Sequence, residues 1–375
     1  MHLENIRSAV QPDSQDEDFK LYTSTVSAWD AMYEDCCQAR SYIRMEQYIF
    51  VDDQAGHRFL RLFCDKARQG VQIRILLDSV GSIGMALSPL LKELQRLGGE
   101  VVFYNPVGFL NVIMPARLYP RSHTKMLLID DTVGHIGSAC IDDQMRDWVE
   151  LHARLTGDLV REINRMLDMP SASTKTQDNK PLDTKALDGA EHAKSMMRYV
   201  LNIPTRGRNP VYRELLRAIG SAQESIYLAT PYFLPPWRLR HALYKAVRRG
   251  VSVQVMISEH TDVKIADLVT RSYFKNLLKH GLKIALYKPA MLHAKYAVVD
   301  SRWATIGSTN LDYLSLRHNR EGNLIVYDQT HIDMIKDVFE GDLTRSFQVD
   351  QEFCEKIPLT EKILGAMGRV IKRIL

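Results

Sequence analysis

The stretch His293–Glu321 reads HAKYAVVDSRWATIGSTNLDYLSLRHNRE, and the fold follows from it. His293, Lys295 and Asp300 form H-x-K-x4-D, and Gly307-Ser308-Thr309-Asn310 follows after six intervening residues. Between them, Tyr296–Val299 and Trp303–Ile306 are short β-type hydrophobic runs. His293 and Lys295 stand two apart on one strand, so their side chains leave the same face. An imidazole able to act as a nucleophile, beside a fixed cation, suits a phosphoryl group.

The same pattern occurs earlier in the chain. HTKMLLIDDTVGHIGSACID carries His123, Lys125 and Asp130, then Gly137 and Ser138, each 170 residues before its counterpart. A glutamate follows each copy: Glu150 lies 27 residues after His123, and Glu321 lies 28 after His293. Six matches at nearly one offset mark an internal duplication, and the duplicated part is the chemically able part.

The surroundings repeat as well. In the first half the spacing predicts a helix over 22–40, a strand over 41–51 and a helix over 57–69 stopped by Gly70. A strand over 71–77, a helix over 87–97 and a strand over 101–104 follow. The second half gives a helix over 211–222, a strand over 225–233 and a helix over 239–249 stopped by Gly250. It continues with a strand over 251–257, a helix over 266–280 and a strand over 282–287. Alternating strands and helices predict a layered α/β fold. The expected domains are 21–169 and 198–355, after a loose lead-in over 1–20. Between them, residues 170–197 have the Ser-, Thr-, Asp-, Lys- and Pro-rich composition of a linker. Residues 356–375 read as a basic amphipathic helix, fit for packing onto the body or for lying in a membrane interface. Asn105–Arg117, NPVGFLNVIMPAR, reads as a buried loop or as an apolar lip beside the first motif.

The 375 residues leave room for two ordinary domains, and 45% hydrophobic with 25% charged residues is ordinary for a globular protein. A net charge of +4 permits an anionic partner without demanding one. The five cysteines, Cys36, Cys37, Cys64, Cys140 and Cys354, include no C-x2-C pair, so neither a disulfide framework nor a zinc site is expected. With no apolar signal core and no run of about 18 apolar residues, the expected location is cytoplasmic, peripheral to the inner membrane.

Two such halves facing each other place two imidazoles around one phosphate, as a double displacement requires. One histidine attacks phosphorus and the other moves protons for the leaving and entering hydroxyls. Lys125 and Lys295, with Ser138, Ser308 and Asn310, would hold the non-bridging oxygens. Glu150 and Glu321 would each accept a ring N–H from a histidine. Asp130 and Asp300, at strand ends, suit bracing turns better than chemistry. No cofactor or metal is expected, because the lysines bring the positive charge.

At these residues the chain resembles the phospholipase D superfamily, marked by a twofold H-x-K-x4-D-x6-G-S-x-N. Within it the chain is most similar to bacterial cardiolipin synthases, on Glu46–Phe50 (EQYIF), Thr230–Pro236 (TPYFLPP), Leu292–Lys295 (LHAK) and Gly307–Glu321. The resemblance implies two similar α/β sandwich domains in pseudo-twofold arrangement, with one active site at their interface. It also implies a phosphohistidine intermediate, with His123 as nucleophile and His293 as general acid and base. The catalytic set would then comprise these two with Lys125, Lys295, Asp130, Asp300, Glu150 and Glu321. Cys140 departs from the pattern, standing where the first motif would have Asn.

The function so implied is phosphatidyl transfer between phospholipids at a membrane surface, with phosphatidylglycerol as substrate and no nucleic acid partner. The alternatives are a phosphodiesterase that hydrolyses phospholipid or nucleic acid, and a non-catalytic membrane-binding scaffold.

Overall fold

The computed structural model describes residues 19–106, 119–168, 196–203 and 209–371. Most of the Asn105–Arg117 stretch and all of Pro170–Lys194 lie outside them.

The first half is a seven-stranded mixed sheet built from β1 (Phe19–Ser24), β2 (Tyr42–Gln47), β3 (Gln72–Asp78), β4 (Glu100–Tyr104), β5 (Met126–Ile129), β6 (Val133–Gly137) and β7 (Val149–Thr156). Its order is β1-β7-β6-β5-β2-β3-β4. The second half uses β8 (Met197–Asn202), β9 (Ser225–Thr230), β10 (Ser252–Ser258), β11 (Lys283–Tyr287), β12 (Tyr296–Val299), β13 (Trp303–Gly307), β14 (Glu321–Val326) and β15 (Ser346–Gln348). Its order is β15-β11-β10-β9-β12-β13-β14-β8. With β15 set aside, the two orders correspond strand for strand. In each half three parallel strands continue into an antiparallel meander, and the meander carries the H-x-K motif.

Sheet faces and helix stripes explain the layers. On β2 and β3, Ile43, Met45, Ile73 and Ile75 point one way and pack under the helices Thr25–Gln38 and Gln54–Arg68. The opposite face of the meander, with Met126, Leu128, Leu151 and Ala153, shares one buried core with Tyr296, Val298, Ile306 and Leu324 of the other half. The two sheets therefore face each other through apolar side chains, and the motif strands meet at this seam. Helices Pro210–Ser221, Trp237–Arg248 and Lys264–Lys279 cover the outer face of the second sheet.

Several boundaries moved for local reasons. The helix expected over 22–40 begins at Thr25, because the Ser24 hydroxyl accepts from Ser27 N at 3.2 Å and caps it. The residues before it form β1, paired with β7. The helix expected from Leu87 begins at Pro89, with Ser88 as its cap. β9 ends at Thr230 because Pro231 has no N–H for the ladder.

The C-terminal helix, Leu359–Ile371, docks on Lys264–Lys279 through two glycines. A Cβ on Gly365 would sit 2.4 Å from Leu268 O, and one on Gly368 2.4 Å from Val269 Cγ2. Leu359, Ile363, Leu364 and Met367 stay exposed on the same helix. Among the described residues, no helix is long and apolar enough to cross a membrane.

Candidate active site

The two motif histidines enter the seam on the strand edges just before β5 and β12. Backbone bonds stitch each approach to the opposite half. His123 N donates to Arg320 O at 2.8 Å, and His293 N donates to Val149 O at 2.8 Å. The acceptors are the residues preceding Glu321 and Glu150, so each histidine is delivered beside the glutamate of the other half.

The side chains complete the crossing. His123 Nδ1 lies 3.0 and 3.1 Å from the two carboxylate oxygens of Glu321, and His293 Nδ1 lies 2.8 Å from Glu150 Oε1. A carboxylate there accepts the Nδ1–H hydrogen bond, which fixes the tautomer and leaves the Nε2 lone pair for chemistry. Both glutamates are fully buried. Burial alone would raise the Glu150 carboxyl, but His293, Lys295 and Ser138 outweigh it and hold the group low.

The serines, expected on phosphate oxygens, instead hold the carboxylates. Ser308 Oγ donates to Glu321 Oε2 at 2.5 Å, and Ser138 Oγ donates to Glu150. Each hydroxyl also accepts a backbone N–H, from Gly322 at 3.0 Å and Leu151 at 3.2 Å. The Gly of each Gly-Ser pair lets β6 and β13 run close to the next strand. A Cβ at Gly307 would meet Gly322 O at 2.3 Å.

Lys125 and Lys295 are both 1% exposed. Each ammonium donates to the carbonyl of its own motif histidine, at 2.8 and 2.5 Å. Burial lowers both lysines, Lys295 to about 7. Burial likewise lowers both imidazoles, His293 to about 4, against the pull of the facing glutamates. The Lys295 charge also depresses His123, and the Lys125 charge depresses His293. Groups from opposite halves thus share one field.

Asp130 and Asp300 stand elsewhere, a correction to their place among the catalytic residues. Each starts the turn of its motif hairpin with positive φ, 51° and 52°, a value Asp tolerates better than most residues. Each carboxylate accepts three backbone N–H groups at the start of the neighbouring strand: Arg40, Ser41 and Tyr42 for Asp130, and Gln223, Glu224 and Ser225 for Asp300. Asp130 lies five residue steps beyond Lys125, across the four residues of β5, about 17 Å at ~3.4 Å per residue. These aspartates fix the hairpin that carries the histidine.

Sequence reasoning missed several neighbours. Tyr48 packs edge-on against His123, with centroids 4.7 Å apart, and Trp148 against His293, 5.0 Å apart. Arg320 forms a two-pronged buried ion pair with Glu46 across the seam. Tyr48, Glu46 and Arg320 lie inside the quoted EQYIF and Gly307–Glu321 stretches, and Trp148 two residues before Glu150, but none was singled out. Asn310 is 7% exposed with its amide oxygen unpartnered. Cys140, at the equivalent place, is buried. Among the described residues, no group of three or more His, Cys, Asp or Glu side chains is placed to hold a metal ion.

Comparison with known proteins agrees with this geometry. The family described as cardiolipin synthase, PLD-like domain, matches residues 34–158 and 215–343. A cardiolipin synthase of Listeria monocytogenes is 30% identical over 372 residues, 96% of this chain and 76% of that protein. One from Oceanobacillus iheyensis is 28% identical over 390 residues, 100% of this chain and 78% of that protein. The phosphatidylserine synthase of Haemophilus influenzae shares the fold at a TM-score of 0.73, with 15% identity and 96% of both chains covered. A doubled motif, paired sheets and a family match over both halves lead to one conclusion: the chain belongs to the cardiolipin synthase family of phospholipase D-like proteins.

Proposed function

We propose that the protein is a phosphatidyltransferase that makes cardiolipin from phosphatidylglycerol through a phosphohistidine on His123. The observation that carries this is the crossed pair of His–Glu contacts, which orients one imidazole from each half at a single seam. In the first step His123 Nε2 attacks phosphorus, the bond to the head-group oxygen breaks, and His293, protonated once the anionic phosphodiester is bound beside it, gives that oxygen its proton. Glycerol leaves. In the second step His293 takes the proton from a hydroxyl of a second phosphatidylglycerol. The resulting alkoxide attacks phosphorus and breaks the P–N bond, freeing His123. Lys125 and Lys295 neutralise the charge that gathers on the non-bridging oxygens. Asn310 is the remaining candidate ligand for those oxygens.

Transfer rather than hydrolysis needs a lipid acceptor at high local concentration, and so a membrane surface. The exposed Leu359, Ile363, Leu364 and Met367 of the C-terminal helix are suited to peripheral contact with it. The test is to incubate the protein with phosphatidylglycerol vesicles and resolve the lipid products. Cardiolipin with released glycerol supports transfer. Phosphatidic acid alone would make the enzyme a hydrolase, and no product with intact vesicle binding would leave the scaffold reading.

A further inference from the structure

The first half lacks the motif carboxamide, because Cys140 stands where the second half has Asn310. One strand away, the first half holds a buried carboxamide of its own. Gln47 is 1% exposed, and neither its amide oxygen nor its amide nitrogen has a hydrogen-bond partner. An unsatisfied buried amide is costly beside an apolar residue of like size, so its presence needs a reason.

Strand register shows where it stands. Glu46 pairs with Met126 in the antiparallel β2–β5 ladder, so Gln47 falls opposite Lys125. Residues opposite each other in such a ladder send their side chains to the same face. Gln47 is thus in the row of Lys125, two residues from His123. The next residue, Tyr48, packs against the His123 ring, and Lys125 Nζ lies 5.1 Å from the Tyr48 ring centroid.

The other half shows what this position does. Gln47 pairs with Leu77, and Thr230 pairs with Ile257 at the matching place, so Gln47 and Thr230 are equivalent. The Thr230 hydroxyl is fully engaged: it donates to Tyr232 O and accepts from Leu311 N, next to Asn310. In the first half, Ile49 O accepts from Ile141 N, next to Cys140. That leaves the Gln47 amide free at the level of Cys140. The small hydroxyl with Asn310 in one half is replaced by the long amide with Cys140 in the other.

We propose that Gln47 supplies the carboxamide that Cys140 cannot, donating its amide N–H to a non-bridging oxygen of the bound phosphodiester beside His123. This rests on the phosphodiester chemistry proposed above and deepens it. The site keeps one carboxamide per half, reached from the motif loop in one and from the neighbouring strand in the other.

The test compares wild type with Gln47→Leu, Gln47→Glu and Gln47→Leu/Cys140→Asn. The readouts are Tm, inorganic phosphate affinity at pH 8 and kcat on bis(p-nitrophenyl) phosphate. Gln47→Leu should keep or raise Tm, because an unsatisfied amide is gone, yet lose about 10²-fold in kcat. Gln47→Glu, of the same shape, should weaken phosphate binding at least about tenfold by like-charge repulsion. Asn at 140 should recover at least about tenfold of the Gln47→Leu loss. Wild-type kcat and phosphate affinity in Gln47→Leu overturn the proposal, and so does a folded double variant with no recovery. If the double variant does not fold, unchanged phosphate affinity in Gln47→Glu overturns it. The probe needs no lipid, so a wild-type protein that cleaves it but makes no cardiolipin defeats the transferase reading and leaves this comparison standing.

Discussion

Glu321, from the second half, holds the ring of His123 in the first, with Nδ1 3.0 Å from Oε1. Glu150 does the same for His293 in the opposite direction, at 2.8 Å. Neither half therefore contains a complete His–Glu pair of its own. The proposed catalytic unit is complete only when the sheets are packed together.

Removing either carboxylate should cost turnover without unfolding the seam. Glu321→Gln is expected to lower kcat about 10²–10⁴-fold by releasing the His123 tautomer. Glu150→Gln should do the same with natural lipid. With a p-nitrophenyl leaving group, which needs no proton, the Glu150→Gln loss in formation of the covalent intermediate should largely vanish, while that of Glu321→Gln should persist. Burst kinetics on both substrates separate the two.

The motif aspartates should show the opposite pattern. Asp300→Ala strips the acceptor from three backbone N–H groups at the start of β9. The expected loss is about 1–3 kcal/mol of stability, with kcat per folded molecule changed less than about threefold. Chemical denaturation beside active-site titration checks both quantities. A Tm near wild type with kcat gone would return Asp300 to the chemistry.

The duplication, its six matched positions and the strand–helix alternation were legible in the sequence, because each depends on local pattern. The crossed glutamates were not. Which histidine meets Glu150 is set by the backbone bridge between Leu292 and Val149 across the seam, not by any spacing along the chain. β1 was read as lead-in and helix, since FKLYTS gains its strand character only from pairing with β7. The serines were matched to phosphate by type, yet their hydroxyls point to Glu150 and Glu321. Gln47 stood inside the quoted EQYIF stretch but was not singled out, because it repeats nothing in the other half and its meaning depends on Cys140 standing where the motif has Asn.

Acid should destabilise the fold before it protonates the carboxylates. His152 is fully buried with both ring nitrogens unpartnered, and burial pushes it down to about 3. His293 is lowered to about 4. An unfolded chain takes up these protons near pH 6.5 and the folded one refuses them. Stability is thus full above about pH 7 and falls as pH drops through 6.5 toward 4. Asn323 occupies the place of His152 in the second half, paired with Gly307 as His152 is with Gly137. His152→Asn should flatten the fall, and thermal unfolding from pH 8 to pH 5 measures it. A Tm indifferent to pH over that range would contradict the buried neutral state.

Anion binding should bring a proton with it. Lys295 is held near 7, burial being the largest cause, so part of its population is neutral at pH 8. A phosphate beside it favours the charged form. Titration calorimetry with inorganic phosphate at pH 8, in two buffers of different ionisation heat, should show net uptake approaching one proton. Lys295→Met should abolish most of it.

The most direct test of two imidazoles serving one phosphodiester is to locate the covalent intermediate. Protein mixed with phosphatidylglycerol vesicles, quenched in alkali within the first turnovers and digested, can be mapped by mass spectrometry. The account predicts a phosphatidyl adduct on His123, absent from His123→Asn and not moved to His293 in that variant. An adduct on His293 instead, or steady turnover with neither histidine modified, would contradict it.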